Sequence, residues 1–141
     1  MSTEDNKALY RRFVAEVLNG GQLDRMGEFL APDVIEHPIG AAGLEAARQF
    51  TAAFRAAVPD LRLTIEDLVA EGDRVVARVT SAGTQRGAFM GIPATGRSVR
   101  IEEFDRWRLA GGKCAEHWAQ GDFRGLLEQL GLAPPPGQAP A

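Results

Sequence analysis

Apolar residues in the first part of the chain recur at the spacing of helices. Leu9, Phe13 and Val17 recur every four residues, so they fall on one face of a helix. Two further patterns of this kind cover residues 23–30 and 43–58. Glycine, asparagine or proline follows each pattern, which is typical of helix ends. The sequence therefore predicts three helices before any strand.

After the third helical pattern the period changes to two. Apolar and polar residues alternate over 61–65, and similar β-forming runs cover 74–84, 99–109 and 114–119. We expect residues 87–90 to continue the second of these strands. Glycine-rich turns separate the runs, so the pattern predicts a meander of antiparallel strands.

The end of the chain contains a short helix and a tail. Leu126, Leu127 and Leu130 predict the helix, and residues 133–141 contain four prolines and predict a disordered tail that is dispensable for stability. We expect a single domain over residues 1–132. No alternation of strand, helix and strand appears, so a parallel sheet is not expected. The predicted fold class is α+β, a cone-shaped barrel in which a curved antiparallel sheet wraps around the N-terminal helices and leaves a pocket between them.

Composition excludes several classes of protein. The net charge is −3 and no basic block occurs, so we expect no nucleic-acid partner. Two histidines and one cysteine lack zinc-like spacing, and no nucleotide-binding loop is present, so neither a metal nor an organic cofactor is expected. The first residues resemble no secretory signal and no apolar run could span a bilayer. We expect a soluble, cytoplasmic protein with no membrane partner.

Four motifs together resemble those of a known family. Residues 89–97 contain a Gly-Ile-Pro-x-Thr-Gly-Arg hairpin, and residues 112–118 read Gly-Lys-x-x-Glu-His-Trp. Residues 57–61 match a Pro-Asp-Leu strand entry, and Asp122 is followed by a Leu-Leu-x-Gln-Leu-Gly segment at 126–131. This combination is similar to SnoaL-like polyketide cyclases of the nuclear-transport-factor-two-like superfamily. The resemblance implies the cone-shaped fold, a small ligand and a homodimer.

Asp122 is the first candidate for catalysis. In the resembled cyclases an aspartate near the end of the last strand acts as acid and base in an intramolecular aldol closure, and its motif position corresponds to Asp122. A carboxylate beside apolar walls has a raised pKa, which suits abstraction of a proton next to a carbonyl. The alternative is that Asp122 caps the C-terminal helix.

Alternation along the last strand adds two candidates for substrate binding. If Asp122 faces the pocket, then Glu116 and Trp118 face it as well, and Trp118 provides a wall for a flat ring. Packing in the core is the alternative for this tryptophan. On the same parity His117 faces outward, so we rank it below Glu116.

The preceding strand carries a second set of charged residues. Glu103, Asp105 and Trp107 share one face, and burying two acids without a function is costly. The alternative is that this face is solvated and Phe104 points inward. If Asp105 and Asp122 both face the cavity, their repulsion splits their pKa values, so that one donates a proton and the other accepts it.

Three residues from the N-terminal half complete the candidate site. His37 follows the second predicted helix, in a region that lines the pocket mouth in the resembled family, and is a further catalytic candidate. Tyr10 could orient a carbonyl or enolate by a hydrogen bond, and Phe13 lies on the same helix as a candidate ligand contact. Core packing is the alternative for Tyr10, and a structural role is the alternative for His37.

These observations predict a cofactor-independent acid/base enzyme. Its ligand would be a small hydrophobic or aromatic carbonyl compound, and the reaction a polyketide-cyclase-like cyclisation or isomerisation. Two alternatives stay open. One is an epoxide hydrolase, dehydratase or cofactor-free hydroxylase of the same fold, and the other is a non-catalytic ligand-binding module.

Overall fold

The computed structural model describes residues 1–133, so almost all of the predicted tail lies outside the described residues. Three α-helices are present: α1 (Thr3–Arg12), α2 (Leu44–Ala57) and α3 (Phe123–Gln129). A π-helical segment (Phe13–Asn19) continues α1, and short 3-10 segments cover Leu23–Glu28 and His37–Ile39. The strands are β1 (Leu30–Glu36), β2 (Ala41–Ala42), β3 (Arg62–Glu71), β4 (Arg74–Thr84), β5 (Ser98–Ala110) and β6 (Lys113–Gly121).

The six strands form one curved sheet in the order β2-β1-β6-β5-β4-β3. Strands β3 to β6 form the predicted antiparallel meander, which confirms the α+β fold class. The sheet is open, with β2 and β3 at its edges, so it does not close into a barrel.

Strand β1 is absent from the sequence-based prediction, which placed residues 23–30 in a helix. A 3-10 segment ends at Glu28, and β1 then pairs in parallel with β6, so one parallel pair, which the sequence analysis did not expect, joins the predicted antiparallel strands. Pro32 lies inside β1, where the pairing register shifts between Leu30 and Ile35. A proline cannot donate to a ladder, and the irregular pairing accommodates it.

The concave face of the sheet packs against the first helical segments. Trp107 on β5 lies at the centre, with its ring centroid 5.0 Å from those of both Tyr10 and Phe13. Tyr10 and Trp107 are almost fully buried, and Phe29 contacts Phe13 from the other side. Their burial and the offset ring geometry make this aromatic group the largest part of the core.

The loop between β4 and β5 departs from the expected strand continuation. Residues 87–90 form no strand, and Phe89 makes only an isolated bridge with Ile92 around a tight turn. The buried Gln85 side chain accepts hydrogen bonds from Thr95 and donates one to the Pro93 carbonyl, which holds the loop together. Phe89 then packs against Phe54 of α2.

At this end of the sheet the concave face is less completely covered. Leu63, Ser81, Ile101, Glu103 and Ala119 have inward-facing positions and are only half-buried. Nearer the α1 side, the inward positions of β4 and β5 are buried, namely Val75, Ala77, Val79, Asp105 and Trp107. The concave face is therefore more open to solvent toward the loop that carries Phe89, and we call this less covered part the cleft. Within residues 1–133 no helix is both long and apolar enough to cross a membrane.

Candidate active site

Strand β5 brings two of its three acidic residues, Glu103 and Asp105, to the concave face. Asp105 and Trp107 are buried and Glu103 is half-buried, whereas Phe104 between them is 55% exposed on the outer face. The prediction that Glu103, Asp105 and Trp107 share the inner face is confirmed, and the alternative with Phe104 inward is wrong. Trp107 fixes this orientation because its side chain fills the core.

The predicted parity of β6 is wrong. Trp107 lies opposite His117 and Asp105 lies opposite Ala119, so His117 and Ala119 face the concave side. Glu116 and Trp118 consequently face outward. The prediction took its parity from Asp122, which lies beyond the end of β6 and is exposed, so it does not indicate which face of the strand is inward. A bulge at residue 115 moves the inward parity from that of Cys114 to that of His117.

A chain of hydrogen bonds crosses the buried concave face. The Tyr10 hydroxyl donates to Asp105 Oδ2 at 2.8 Å, and His117 Nε2 lies 3.0 Å from Asp105 Oδ1. The other ring nitrogen, His117 Nδ1, lies 2.7 Å from Glu36 Oε2. Helix α1 and strands β1, β5 and β6 therefore each contribute one member. We refer to Tyr10, Asp105, His117 and Glu36 as the buried network.

In the buried network, hydrogen bonds and opposite charges stabilise the ionised forms of His117 and Asp105. Burial alone would lower the pKa of His117, but its hydrogen bonds to Asp105 and Glu36 and their negative charges raise it to about 10. Burial alone would raise the pKa of Asp105, but hydrogen bonds from His117 and Tyr10 bring it below its usual value. Burial and the nearby Asp105 charge raise the pKa of the Tyr10 hydroxyl. Near neutral pH the network contains an imidazolium between two carboxylates.

Glu103 borders the buried network at its open end. Burial, followed by the negative charge of Asp105, raises the pKa of Glu103 to about 8. Its Oε2 lies 3.3 Å from the position that a Cβ on Gly121 would occupy, so the absence of a side chain at Gly121 leaves room for the carboxyl group. The acid whose pKa is raised by the neighbouring charge of Asp105 is therefore Glu103 rather than the expected Asp122.

Asp122 lies at the junction of β6 and α3 and is exposed. Its Oδ1 accepts a hydrogen bond from the Gly125 backbone at 2.9 Å, which is the helix-capping arrangement considered from the sequence. Its backbone N–H donates to the carbonyl of Glu102. The capping function of Asp122 is thus observed, and its role as a base stays a prediction.

His37, Glu116 and Trp118 form a separate group on the outer face. The His37 ring stacks on Trp118 with centroids 4.8 Å apart, and Arg106 covers the same indole at 4.6 Å. His37 Nε2 lies 2.6 Å from Glu116 Oε2, and Arg108 donates to the other carboxylate oxygen at 3.1 Å. The sheet therefore separates these three residues from the buried network.

Sequence reasoning ranked His117 low and did not select Glu36. A signal was present, because Glu-His occurs twice, as Glu36-His37 and as Glu116-His117. Its meaning depends on β1 pairing with β6, which the local pattern does not show. Tyr10, Phe13 and Trp107 were predicted to contact substrate and lie in the packed core, where Tyr10 also belongs to the buried network. Their contact with substrate stays a prediction.

Comparison with known proteins gives a consistent result. The family model described as SnoaL-like polyketide cyclase matches residues 8–130. The chain is 33% identical to aklanonic acid methyl ester cyclase DnrD of Streptomyces peucetius, with 93% of this chain and 92% of DnrD aligned. It is 30% identical to the nogalonic acid methyl ester cyclase of Streptomyces nogalater, with 84% of this chain and 92% of that protein aligned.

Solved structures agree with the sequence comparison. TsrD from Streptomyces laurentii superposes with a TM-score of 0.87 at 34% identity, covering 94% of this chain and 99% of TsrD. AclR from Streptomyces galilaeus, a suggested hydroxylase, superposes with a TM-score of 0.84 at 32% identity, covering 94% of this chain and 89% of AclR. The resemblance seen in the four sequence motifs is confirmed.

Proposed function

The chain belongs to the SnoaL-like polyketide cyclase family, whose named members are enzymes of the lyase or isomerase type, and on this basis we propose that it is a cofactor-independent acid/base enzyme. Its substrate would be a small, flat, polyketide-like carbonyl compound, and the reaction an aldol-type cyclisation or isomerisation. The observation that supports this most directly is Glu103, a half-buried carboxyl group that adjoins a charged network at the open end of an apolar cleft.

Glu103 has the properties of a proton shuttle. A carboxylate whose pKa is about 8 is a stronger base than an ordinary glutamate and still exists partly ionised near neutral pH. In the proposed reaction, Glu103 removes a proton from the carbon next to a carbonyl. The resulting enolate carbon attacks a second carbonyl of the same molecule, and Glu103 returns the proton to the alkoxide. The C–H bond and the π bond of the attacked carbonyl break, and one C–C and one O–H bond form, so the substrate changes structure without changing mass.

The buried network has a supporting role in this proposal. Asp105 is held ionised by hydrogen bonds from Tyr10 and His117, and its charge keeps the pKa of Glu103 high. Partly buried apolar side chains from α2 and the sheet, including Phe54, Leu63 and Ile101, would contact the flat ring. A low-polarity cleft favours such a ligand and keeps the carboxyl group poorly solvated.

The experiment is turnover of candidate substrates by the purified protein after treatment with a chelator. Aklanonic and nogalonic acid methyl esters are the first compounds to test, because they are named for its relatives. A cyclised product of unchanged mass is expected. Dependence on one specific metal, or the absence of product with these and related aromatic carbonyl compounds, would contradict the proposal.

A second candidate reaction is hydroxylation, which the structural similarity to AclR favours, and epoxide hydrolysis stays open from the sequence analysis. Product analysis in water labelled with ¹⁸O separates these reactions from cyclisation. Cyclisation adds no oxygen atom, whereas epoxide hydrolysis incorporates one from water. Hydroxylation with molecular oxygen raises the product mass without the label.

We also propose that the outer face of the sheet binds a second copy of this chain. Phe104 and Val69 are 55% and 62% exposed on this face, and Trp118 lies there as well. Arginines alternate with acids around them, as in the pair of Arg78 with Glu102. A face with both signs of charge around an apolar centre is complementary to itself, which a twofold-symmetric dimer requires.

A further inference from the structure

Two Glu-His contacts connect the end of β1 with the neighbouring parallel strand β6. Ile35 of β1 lies opposite Glu116 of β6, and Glu36 lies opposite His117. Because side chains alternate along a strand, Glu36 reaches His117 on the concave side at 2.7 Å. His37 and Glu116 meet on the outer side at 2.6 Å. Each glutamate thus lies within hydrogen-bond distance of the histidine that follows the other glutamate in sequence.

The inner pair leaves His117 with a carboxylate at each ring nitrogen. A neutral imidazole has one N–H, so it can donate to only one of its two acceptors. The other nitrogen would then present a lone pair to a carboxylate oxygen, in a site where Glu36 and Asp105 are both buried. An imidazolium donates to both carboxylates. The geometry therefore favours the doubly protonated ring.

Among the groups of residues 1–133 that face this site, His117 is the one cation. Helix α1 contributes Tyr10, β1 contributes Glu36, and β5 contributes Asp105 and Glu103. On its own strand, the Cys114 thiol is buried nearby and is neutral, because burial raises its pKa. If the imidazolium lost its proton, three acids would share the concave face with no opposing charge, and Asp105 would bind a proton more readily.

We infer that Glu36 is a positioning residue that acts on the site through His117. By accepting a hydrogen bond from Nδ1–H, it holds His117 doubly protonated and directs Nε2–H toward Asp105, so that Asp105 stays ionised beside Glu103. The effect of Glu36 on turnover rests on the proposed function. The effect of Glu36 on the protonation of His117 can be measured without any substrate.

The first test is the ring protonation of the two histidines in ¹⁵N-histidine-labelled protein. In the wild-type protein, both nitrogens of His117 are expected to carry protons at about pH 8. A His117 ring with a single N–H at that pH would overturn the inference. This measurement uses the unmodified chain and does not depend on whether a variant folds.

The second test compares Glu36→Gln with the matched variant Glu116→Gln. Losing one of two carboxylate partners should lower the His117 titration midpoint by roughly 1–3 pH units in Glu36→Gln. Glu116→Gln removes the carboxylate that contacts His37 on the outer face and should leave the titration of His117 in place. An unchanged His117 titration in folded Glu36→Gln would show that Glu36 has no such role.

The third test separates this role from a merely structural one. At pH values where His117 of the Glu36→Gln variant is still doubly protonated, the site carries one negative charge fewer than in the wild-type protein. Glu103 should then lose its proton more readily, so the limb of the pH–rate profile assigned to Glu103 should move to lower pH. Glu36→Asp, which keeps the charge, should restore that limb at least partly. A loss of turnover with an unshifted profile would contradict the inference. If wild-type protein turns over no substrate, the proposed function fails, and the histidine titrations still decide the role of Glu36.

Discussion

Glu103 and Asp105 lie on the same face of β5 and differ in proton affinity because they have different hydrogen-bond partners. Asp105 accepts from Tyr10 and His117, which bring its pKa below the usual value. Burial and the charge of Asp105 raise the pKa of Glu103 to about 8. Two similar carboxyl groups are thereby prepared for different roles, one as a fixed charge and one as a group that exchanges protons.

Glu103→Gln should lower turnover roughly 10²–10⁴-fold while the protein stays folded, because the amide cannot accept the proton. The matched control is Glu102→Gln on the same strand. Glu102 faces outward and pairs with Arg78, so its removal should leave kcat/KM nearly unchanged. Rates are measured with a substrate identified as above, and folding by circular dichroism. Near-normal turnover of Glu103→Gln would exclude Glu103 as the base.

Asp122→Asn separates capping from catalysis at the end of β6. The asparagine side chain retains an oxygen for Gly125, so we expect a change of about 1 kcal/mol or less in the free energy of unfolding. If capping is the only role of Asp122, kcat stays near the wild-type value. A loss of roughly 10²–10⁴-fold at normal stability would instead assign the base to Asp122, as the sequence resemblance implies.

The stability of the protein should fall as the pH rises above neutrality. Glu103 and His117 have folded-state pKa values of about 8 and about 10, above their unfolded values of 4.5 and 6.5. The folded state therefore holds more protons, and the stabilising contribution of each group is lost as the pH rises through its folded-state pKa. The pKa of Asp105 is lowered, so its stabilising contribution is lost only as the pH falls through the acidic range.

Urea denaturation at a series of pH values measures this effect. We expect a decrease of roughly 1–3 kcal/mol in the free energy of unfolding between about pH 6 and pH 9, allowing for the partial exposure of Glu103. Glu103→Gln should remove the part of the slope below about pH 8. A flat profile for the wild-type protein would contradict the charge assignments of both groups.

The two tryptophans should differ strongly in their contributions to stability. Trp107 is 2% exposed and contacts Tyr10 and Phe13, so Trp107→Ala should cost about 3–5 kcal/mol. Trp118 lies on the outer face between His37 and Arg106, so Trp118→Ala should cost only about 1–2 kcal/mol. Chemical denaturation of both variants provides the measurement. Equal losses would indicate that Trp118 is buried in the protein as it exists in solution, for example by a second copy.

Phe104→Glu should convert the proposed dimer into a monomer, because it places a charge at the apolar centre of the outer face. Met90→Glu is the matched control, since Met90 is a similarly exposed apolar residue in the loop between β4 and β5. Light scattering coupled to size-exclusion chromatography gives the mass of each species. A wild-type protein that is monomeric at micromolar concentration would refute the proposed interface.

Elements with a local sequence pattern could be predicted before any tertiary contact was known. Leu9, Phe13 and Val17 predicted the first helix, and the alternation in β5 placed Glu103 and Asp105 together on one face. Hydrogen bonds within a helix join near neighbours, and alternation within a strand needs no partner, so both patterns can be recognised in one segment. The four motifs likewise identified the family, which the comparisons confirm.

The inward face of β6 and the existence of β1 depend on contacts between elements that are distant in sequence. Alternation divides a strand into two faces, but the partner strand and any bulge select the buried face, and here the bulge at residue 115 directs His117 inward. Glu36 reaches His117 because β1 pairs with a strand that follows it at a long distance in sequence. The buried network depends on contacts of this kind, because charges on separate elements affect one another only after the chain has brought them together.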